Sequence, residues 1–430
     1  MQNFYKKSIT LFAALLLSLV VFSQDYSDGV FVLNEGLYGS DTASVSYLDI
    51  NGTLQNGIFE TQNSDNPLGN TAQGMGFDGD FAYIVLNGTQ AVKVIDRTTF
   101  ELAATITDQL ENPRAIAFSN GKGYVTNWGD GTIATDDFVA VIDLANNTVL
   151  GKIPVIEGPE GIVEKDGLLY VAHQGGFGFG NSVSVIDTAD DSVTSITVGD
   201  VPSTIKIKDN DLYVLCSGKP SYSGSETTGK LVIIDLSNVQ NITEFTFSEN
   251  QHPSFMSIDD TNIYYTLSGN AFKMALNSTT LPTSAFIETT PQDLKTPYAF
   301  SKIENLFYFG DANEYTNDGK VFVYNEDGTF ATGYTVGFLP NGFYKNEEDN
   351  LSVPQFTAST ITMYPNPASG SFRLNTSEKA AITIFDISGR KVKTAIFSND
   401  EISVMGLKSG VYVVQIAIEG KISTQKLIIK

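Results

Sequence analysis

Few residues in this chain carry chemistry, and their spacing decides which chemistry is open to them. Seven segments begin on a proline or its stand-in: Ala72, Pro113, Pro159, Pro202, Pro253, Pro297 and Pro340. The next residues read Gln73, Arg114, Glu160, Ser203, Ser254, Tyr298 and Asn341. Glu160 is the one carboxylate of that set. A catalytic calcium ion needs several convergent carboxylate or amide oxygens, and Glu160, Gln73 and Asn341 are too few. Glycoside hydrolysis needs a second acid, for which Asp130 or Asp311 is available from a loop. A serine nucleophile needs a histidine base; His173 has no nucleophile-elbow motif beside it. Asp130, Asp136 and Asp137 lack the regular spacing of a calcium loop and read as solvated loop. Cys216 is the one cysteine, and His173 and His252 are far apart, so no zinc set forms. The expectation is a binding protein with no resident cofactor, calcium being the metal its acidic loops leave open.

The same regions offer aromatic surface. Tyr38, Trp128, Phe177, Phe179, Tyr222 and Tyr315 lie in long glycine-rich segments, among them NWGDGTIATDDF at 127–138 and HQGGFGFGNS at 173–182. Arg114, Asn127, Glu160, His173 and Asp311 are the polar groups expected to orient a ligand among them. Aromatic walls with scattered polar groups suit a flat, ring-bearing small molecule. Docking of a protein or glycan is the alternative, and a calcium-dependent hydrolase a further one. Loop aromatics that fold back over the scaffold are the structural counter-reading.

The elements that must position these residues repeat. A short alternating run closes at Asp49, Asp96, Asp143, Asp187 and Asp235, and degraded copies end at Leu276 and Asn325. The steps are 47, 47, 44, 48, 41 and 49 residues. A period in the forties with strand-like segments is the mark of a β-propeller. Each unit reads as four strands: the proline-led one, an aromatic-centred one such as LLYVAH, the Asp-closed one and a Thr/Ile-rich one. The turns DGD (78–80), NGK (120–122) and DGL (166–168) separate them. The repeated Asp suits a turn and reads as structural. The proline-led segment occurs seven times, but only six aromatic runs follow it; the seventh is VFVLN at 30–34. The last proline-led strand should therefore pair with the first strand. That predicts an all-β fold, a seven-bladed propeller over about residues 25–346 closed by its own two ends, with the long loops gathered on one face.

Charge and the two ends complete the layout. The chain of 430 residues has 26 Lys+Arg and 49 Asp+Glu, a net charge of −23. That argues against a nucleic-acid partner and against an anionic membrane surface. The charge is uneven: residues 24–350 carry a net −29 and residues 351–430 a net +4. Lys6 and Lys7 precede an apolar run from Ile9 to Phe22, which reads as a signal peptide over 1–23. Residues 347–360 read as a linker. Residues 361–430 alternate in AITIFDI and VYVVQIAI and predict a small β-sandwich.

That tail carries YPNP (364–367), ITIFDISGRKV (382–392), LKSGVYVVQI (407–416) and a closing KLIIK. It resembles the C-terminal sorting domain of the type IX secretion system of Bacteroidetes. The resemblance implies passage through the periplasm and then across the outer membrane by the type IX machinery. The repeated unit, P-x-x-I, then LYV, VxVID and T-x-x-V, resembles the YncE-like seven-bladed propellers of bacterial surfaces. FVLNEG (31–36), NPLGNTAQGM (66–75) and GPEGIV (158–163) are similar to a Bacteroidetes subgroup, some of whose members look like capture proteins for cobalamin or related corrinoids. That likeness implies a TonB-dependent outer-membrane transporter as partner.

Overall fold

The computed structural model describes residues 25–346 and, in the C-terminal part, 363–376, 379–386, 390–398, 400–418 and 421–430. The expected signal peptide and linker lie outside these residues. The chain divides into two compact units, residues 1–348 and 349–430.

The first unit holds seven antiparallel sheets, the blades. Blade 1 is built from both ends of the unit, Pro340–Lys345, Gly29–Asn34, Ser44–Asp49 and Leu54–Gln55, in that order from the axis outward. Val32 faces Phe343 and Phe31 faces Tyr344 across the junction, which is the predicted closure. Blades 2 to 5 begin with inner strands Ala72–Asp78, Pro113–Ser119, Pro159–Lys165 and Pro202–Lys208. Blade 7 begins with Pro297–Ile303. The inner strands touch one another in a closed ring, so no blade is left with an open inner flank.

Local chemistry makes the hairpins. Asn120 and Gly121 have φ of 51° and 74°, and Asp166 and Gly167 have 52° and 84°, the paired left-handed residues of a type I′ turn. The repeated aspartates act as turn locks. Asp49 accepts from the Asn51 and Thr53 amides, Asp143 from Ala145, Asp187 from Ala189 and Asp235 from Ser237. Between blades, alternate side chains interdigitate. Phe31, fully buried, lies 5.4 Å from Tyr47 and 5.1 Å from Phe100. Each such ring contributes roughly 1.5–3 kcal/mol by leaving water.

The closure has its own clasp. Asn346 donates to the carbonyls of Tyr26 and Arg97 and accepts from the Arg97 guanidinium at 2.6 Å. Arg97 is buried, donates to the Gly79 carbonyl and lies over the Phe77 ring. The end of blade 1 is thereby tied to blade 2.

Blade 6 departs from the expected four strands. It has three: Met256–Ile258, Asn262–Leu267 and Asn270–Ala275. Pro282 and Pro291 interrupt the segment that would supply the fourth, and a single bridge from Ile287 to Ala271 stands in for it. Blade 1 also departs, because its outer strand is two residues long and runs into a short helix, Ile58–Gln62.

The second unit forms a small sandwich. Lys391–Phe397, Ala380–Asp386, Gly410–Ile418 and Lys421–Ile429 make one sheet; Met363–Tyr364, Ser371–Leu374 and Ile402–Ser403 make the other. Phe372, Ile384, Val414 and Leu427 meet in its core, while Val411 and Val413 face outward.

Candidate functional site

In every blade but the sixth the inner strand starts beside the end of the second strand, as in Pro159 opposite His173 and Pro297 opposite Asp311. The loops that follow the second strands therefore surround the same end of the channel as the inner-strand starts. The turns at the other end are tight.

At this mouth Arg114 and Glu160 meet in a two-pronged ion pair, Nη2 to Oε1 at 2.8 Å and Nε to Oε2 at 3.0 Å. The guanidinium also lies 4.3 Å from the Trp128 ring centre. Trp128 donates its indole N–H to the Pro159 carbonyl at 3.2 Å. Its ring is thus braced from below and covered on one face, so it supports the site more than it offers a bare wall. Phe177 meets Trp128 edge-on at 6.0 Å and is 81% exposed. Its approach depends on glycine. A Cβ on Gly158 (φ 66°) would overlap the backbone of Gly175 and Gly176, and one on Gly131 would meet the Phe177 ring.

A second polar group completes the mouth, and its centre was not foreseen. Glu35 accepts from the Tyr298 hydroxyl at 2.6 Å and from the Gln73 amide at 2.9 Å. Burial raises its carboxyl above the ordinary range; the Tyr298 bond, the Arg114 charge and the Gln73 bond pull it back, and Glu160 adds to the rise. The Tyr298 phenol is pushed up as well, by burial and by the Glu35 charge. Tyr315 packs edge-on to Tyr298 at 5.9 Å and is 55% exposed. The second carboxylate at the mouth is therefore Glu35, not Asp130 or Asp311. Tyr298 and Gln73 stand at inner-strand starts, so a search for their partners among loop acids would have reached Glu35 in NEGLYG.

Three expected ligand residues are placed otherwise. Asn127, His173 and Asp311 each end a second strand and are fully buried. Asn127 accepts from the Glu111 amide and donates to the Val125 carbonyl. His173 Nε2 lies 2.8 Å from Ser184 Oγ, and burial drives its pKa down to about 4, so the ring is neutral. Asp311 accepts from the amides of Thr296, Lys295 and Asn313. The turn it anchors is strained: Asn313, Glu314 and Tyr315 have φ of 46°, 62° and 60°. Asp311 thus presents Tyr315 without touching a ligand. Asn34 and Cys216, also fully buried, occupy the same place in blades 1 and 5. A position filled in blade after blade is scaffold, and that repetition was the available signal.

The remaining aromatics are peripheral. Tyr38 and Tyr222 are 86% and 85% exposed and pack against no other ring among the described residues; Phe179 is 39% exposed. The acidic loop serves itself: Asp130 accepts from Thr132, Asp136 from the Asp130 amide and Asp137 from the Gly158 amide. Burial pushes Asp137 up to about 6. Among the described residues no three His, Cys, Asp or Glu side chains are grouped to hold a metal ion. Beside the mouth, over blade 6, lies a polar hollow of about 520 Å³ lined by His252, Ser254, Thr289, Asp293 and Lys295 among others.

Comparison with known proteins agrees on the architecture. Residues 28–219 match a family model described as a domain of unknown function (DUF5074). Residues 362–430 match the model of the secretion system C-terminal sorting domain. The chain is 31% identical over 144 residues to the seven-bladed beta-propeller protein Rv1057 of Mycobacterium tuberculosis. That alignment covers 32% of this chain and 34% of the relative, so the chain spans about a third of the relative's length. A solved structure of a quinonprotein alcohol dehydrogenase-like protein from Bacteroides thetaiotaomicron superposes with a TM-score of 0.58 at 15% identity, covering 75% of this chain and 79% of that one. That likeness concerns the fold alone.

The chain is a seven-bladed β-propeller of the exported class. Its sorting tail implies interaction with the type IX secretion machinery and directs it to the cell surface or the extracellular space.

Proposed function

We propose that this protein captures a ring-bearing small molecule at the loop-face mouth of its propeller and does not turn it over. One observation carries the reading. The Arg114–Glu160 pair under Trp128, the Glu35–Tyr298–Gln73 group and the exposed rings of Phe177 and Tyr315 converge on one end of one channel. Exposed aromatics beside fixed polar groups bind planar ligands by stacking and orient them by hydrogen bonds. A corrinoid fits this chemistry: its ring face suits Phe177, and its amide side chains suit a carboxyl, a guanidinium and an amide. Delivery to a TonB-dependent outer-membrane transporter follows from that ligand.

The test is calorimetric titration of the full chain with cobalamin. Saturable heat is expected, with affinity falling at least tenfold, about 1.4 kcal/mol, in Phe177→Ser and in Arg114→Ala. No heat at high protein concentration sinks the corrinoid reading. A second reading, docking of a surface protein or glycan, is favoured by the outlying Tyr38 and Tyr222, which widen the apolar face beyond a small molecule's reach. Recovery of a partner that Tyr222→Ser abolishes, with metabolite titrations blank, would favour it.

A further inference from the structure

The end of the propeller away from the mouth holds a pocket that neither reading uses. It lies in the seam between blades 7 and 1, beside the junction that closes the ring. Two contacts bridge that seam. Lys345 of the innermost strand of blade 1 pairs with Glu304 of blade 7. Tyr334, in the outermost strand of blade 7, Phe330–Thr335, donates its hydroxyl to the Gly52 carbonyl at 3.1 Å. All four residues line one hollow of about 250 Å³. The outermost strand of blade 1 is two residues long where that of blade 7 has six, so blade 1 cannot cover its neighbour's flank to the full width.

The walls of this hollow are apolar. Val30 and Leu48 come from blade 1, and Ile303, Leu306 and Val323 from blade 7. All five belong to, or pack against, the core that the two blades share. One wall residue has an unmet need. Tyr308 is 4% exposed, and its hydroxyl has no hydrogen-bond partner among the described residues. Burial, and after it the Glu304 charge, push the phenol up to about 12, so it keeps its proton. A buried hydroxyl without a partner is a cost that water or a ligand has to meet. The lining also holds three carboxylates, Asp28, Asp49 and Glu304, against the single ammonium of Lys345. Glu304 is taken by Lys345, which leaves the charges of Asp28 and Asp49. Asp28 is exposed. The Thr53 and Asn51 amides hold the Asp49 carboxyl below its ordinary range, so it stays ionised.

We propose that this seam pocket is a second binding site and takes a small aromatic amine. The ring lies between the apolar walls, and the ammonium is met by the carboxylates of Asp28 and Asp49 and by the Tyr308 oxygen. An apolar hollow with a few convergent polar groups is the usual form of a ligand site. Its volume falls below the roughly 300–1,000 Å³ of sites for drug-sized ligands, which limits the body to one or two rings. The uncompensated charge selects the head group: an acid of the same shape would meet two like charges. The site is at the opposite end of the unit from the mouth and stands whether or not the mouth binds a corrinoid.

The test is calorimetric titration of the full chain, at neutral pH and low salt, with tryptamine, 3-ethylindole and indole-3-propionate. The three share a ring system and differ in the charge of the head. Tryptamine should bind saturably, at least tenfold more tightly than indole-3-propionate and more tightly than 3-ethylindole. Asp28→Asn, on the exposed rim, should weaken tryptamine about threefold. Tyr308→Phe keeps the ring and removes the hydroxyl, and should weaken it by about as much. Phe177→Ser should leave tryptamine affinity unchanged, which separates this site from the mouth. No saturable heat with tryptamine overturns the assignment, as does equal affinity for all three probes. Loss of binding in Phe177→Ser with none in Asp28→Asn would place the amine at the mouth and overturn it too. Asp28 lies outside the core, so that variant keeps the test decisive if Tyr308→Phe fails to fold.

Discussion

The mouth has two unlike halves built on one repeated backbone. Around blades 3 and 4, and around the junction of blades 7, 1 and 2, it is clamped by charge and rings: Arg114 with Glu160 and Trp128, and Glu35 with Tyr298 and Gln73. Around blades 5 and 6 it is lined by serines whose bonds run to backbone. The Ser203 hydroxyl lies 3.1 Å from the Leu215 carbonyl and 3.0 Å from the Ser254 carbonyl, and the Ser217 hydroxyl 2.7 Å from the Pro253 carbonyl. The difference teaches how to sort residues in a repeat protein. Positions that do the same job in every blade are scaffold. Positions that diverge while the backbone stays the same are where selection for a ligand can act.

The comparison breaks most visibly at the strand ends. Asp311→Ala strips the partner from three backbone amides on the clamped side and should cost about 3 kcal/mol in urea unfolding. Cys216→Ala at the matching place in blade 5 removes one small buried group and should cost about 1 kcal/mol. Equal costs would mean that the two ends carry equal loads. Arg114→Ala should cost about 2 kcal/mol, between an exposed and a buried pair, because Glu160 and Trp128 lose their partner together. Ser254→Ala should stay within about 0.5 kcal/mol.

A subtler sharpening lies in pH, between Asp137 and His173 of blades 3 and 4. Asp137 titrates at about 6 in the fold, above an ordinary carboxyl. Between about pH 4 and 6 the folded chain therefore holds a proton that the unfolded chain has lost, and this group's contribution falls as pH rises. His173 titrates at about 4, below an ordinary imidazole. Between about pH 4 and 6.5 the unfolded chain holds the proton, so its contribution rises with pH. The two slopes oppose. Relative to the unaltered chain, Asp137→Asn should make stability rise more steeply with pH across that window, by up to about 1.4 kcal/mol per unit, and His173→Asn should make it rise less steeply by a similar amount. Parallel curves for both variants would refute the assignment. Smallest of all, Tyr222→Ser should move stability by less than about 0.5 kcal/mol, so that any loss of partner binding is a surface effect.

Much of this was legible beforehand. The blades show because each repeats one solution, and the closure shows because seven proline-led segments met only six following strands. Arg114 and Glu160 were legible as divergent residues at a repeated place. Glu35 was not: its partner Tyr298 lies 263 residues away, and nothing local to NEGLYG marks it. Asn127, His173 and Asp311 were misread because a polar residue before a glycine-rich loop looks ligand-facing until its recurrence in other blades is weighed. The three-stranded blade 6 escaped because a run such as LPTSAFI has strand composition while its prolines deny it a ladder.

The clasp at Asn346 has a consequence in time. Its bond to the Tyr26 carbonyl joins residues 320 apart, and strand Gly29–Asn34 waits on Pro340–Lys345 for its inner neighbour. Local hairpins can form as the chain emerges, but the ring cannot shut before residue 346 is out. Until then the first blade shows an unpaired edge, and the longest-range contact in the unit makes closure its late, slow event. A chain stopped short of Pro340 would be left with a nearly complete propeller and no way to finish it.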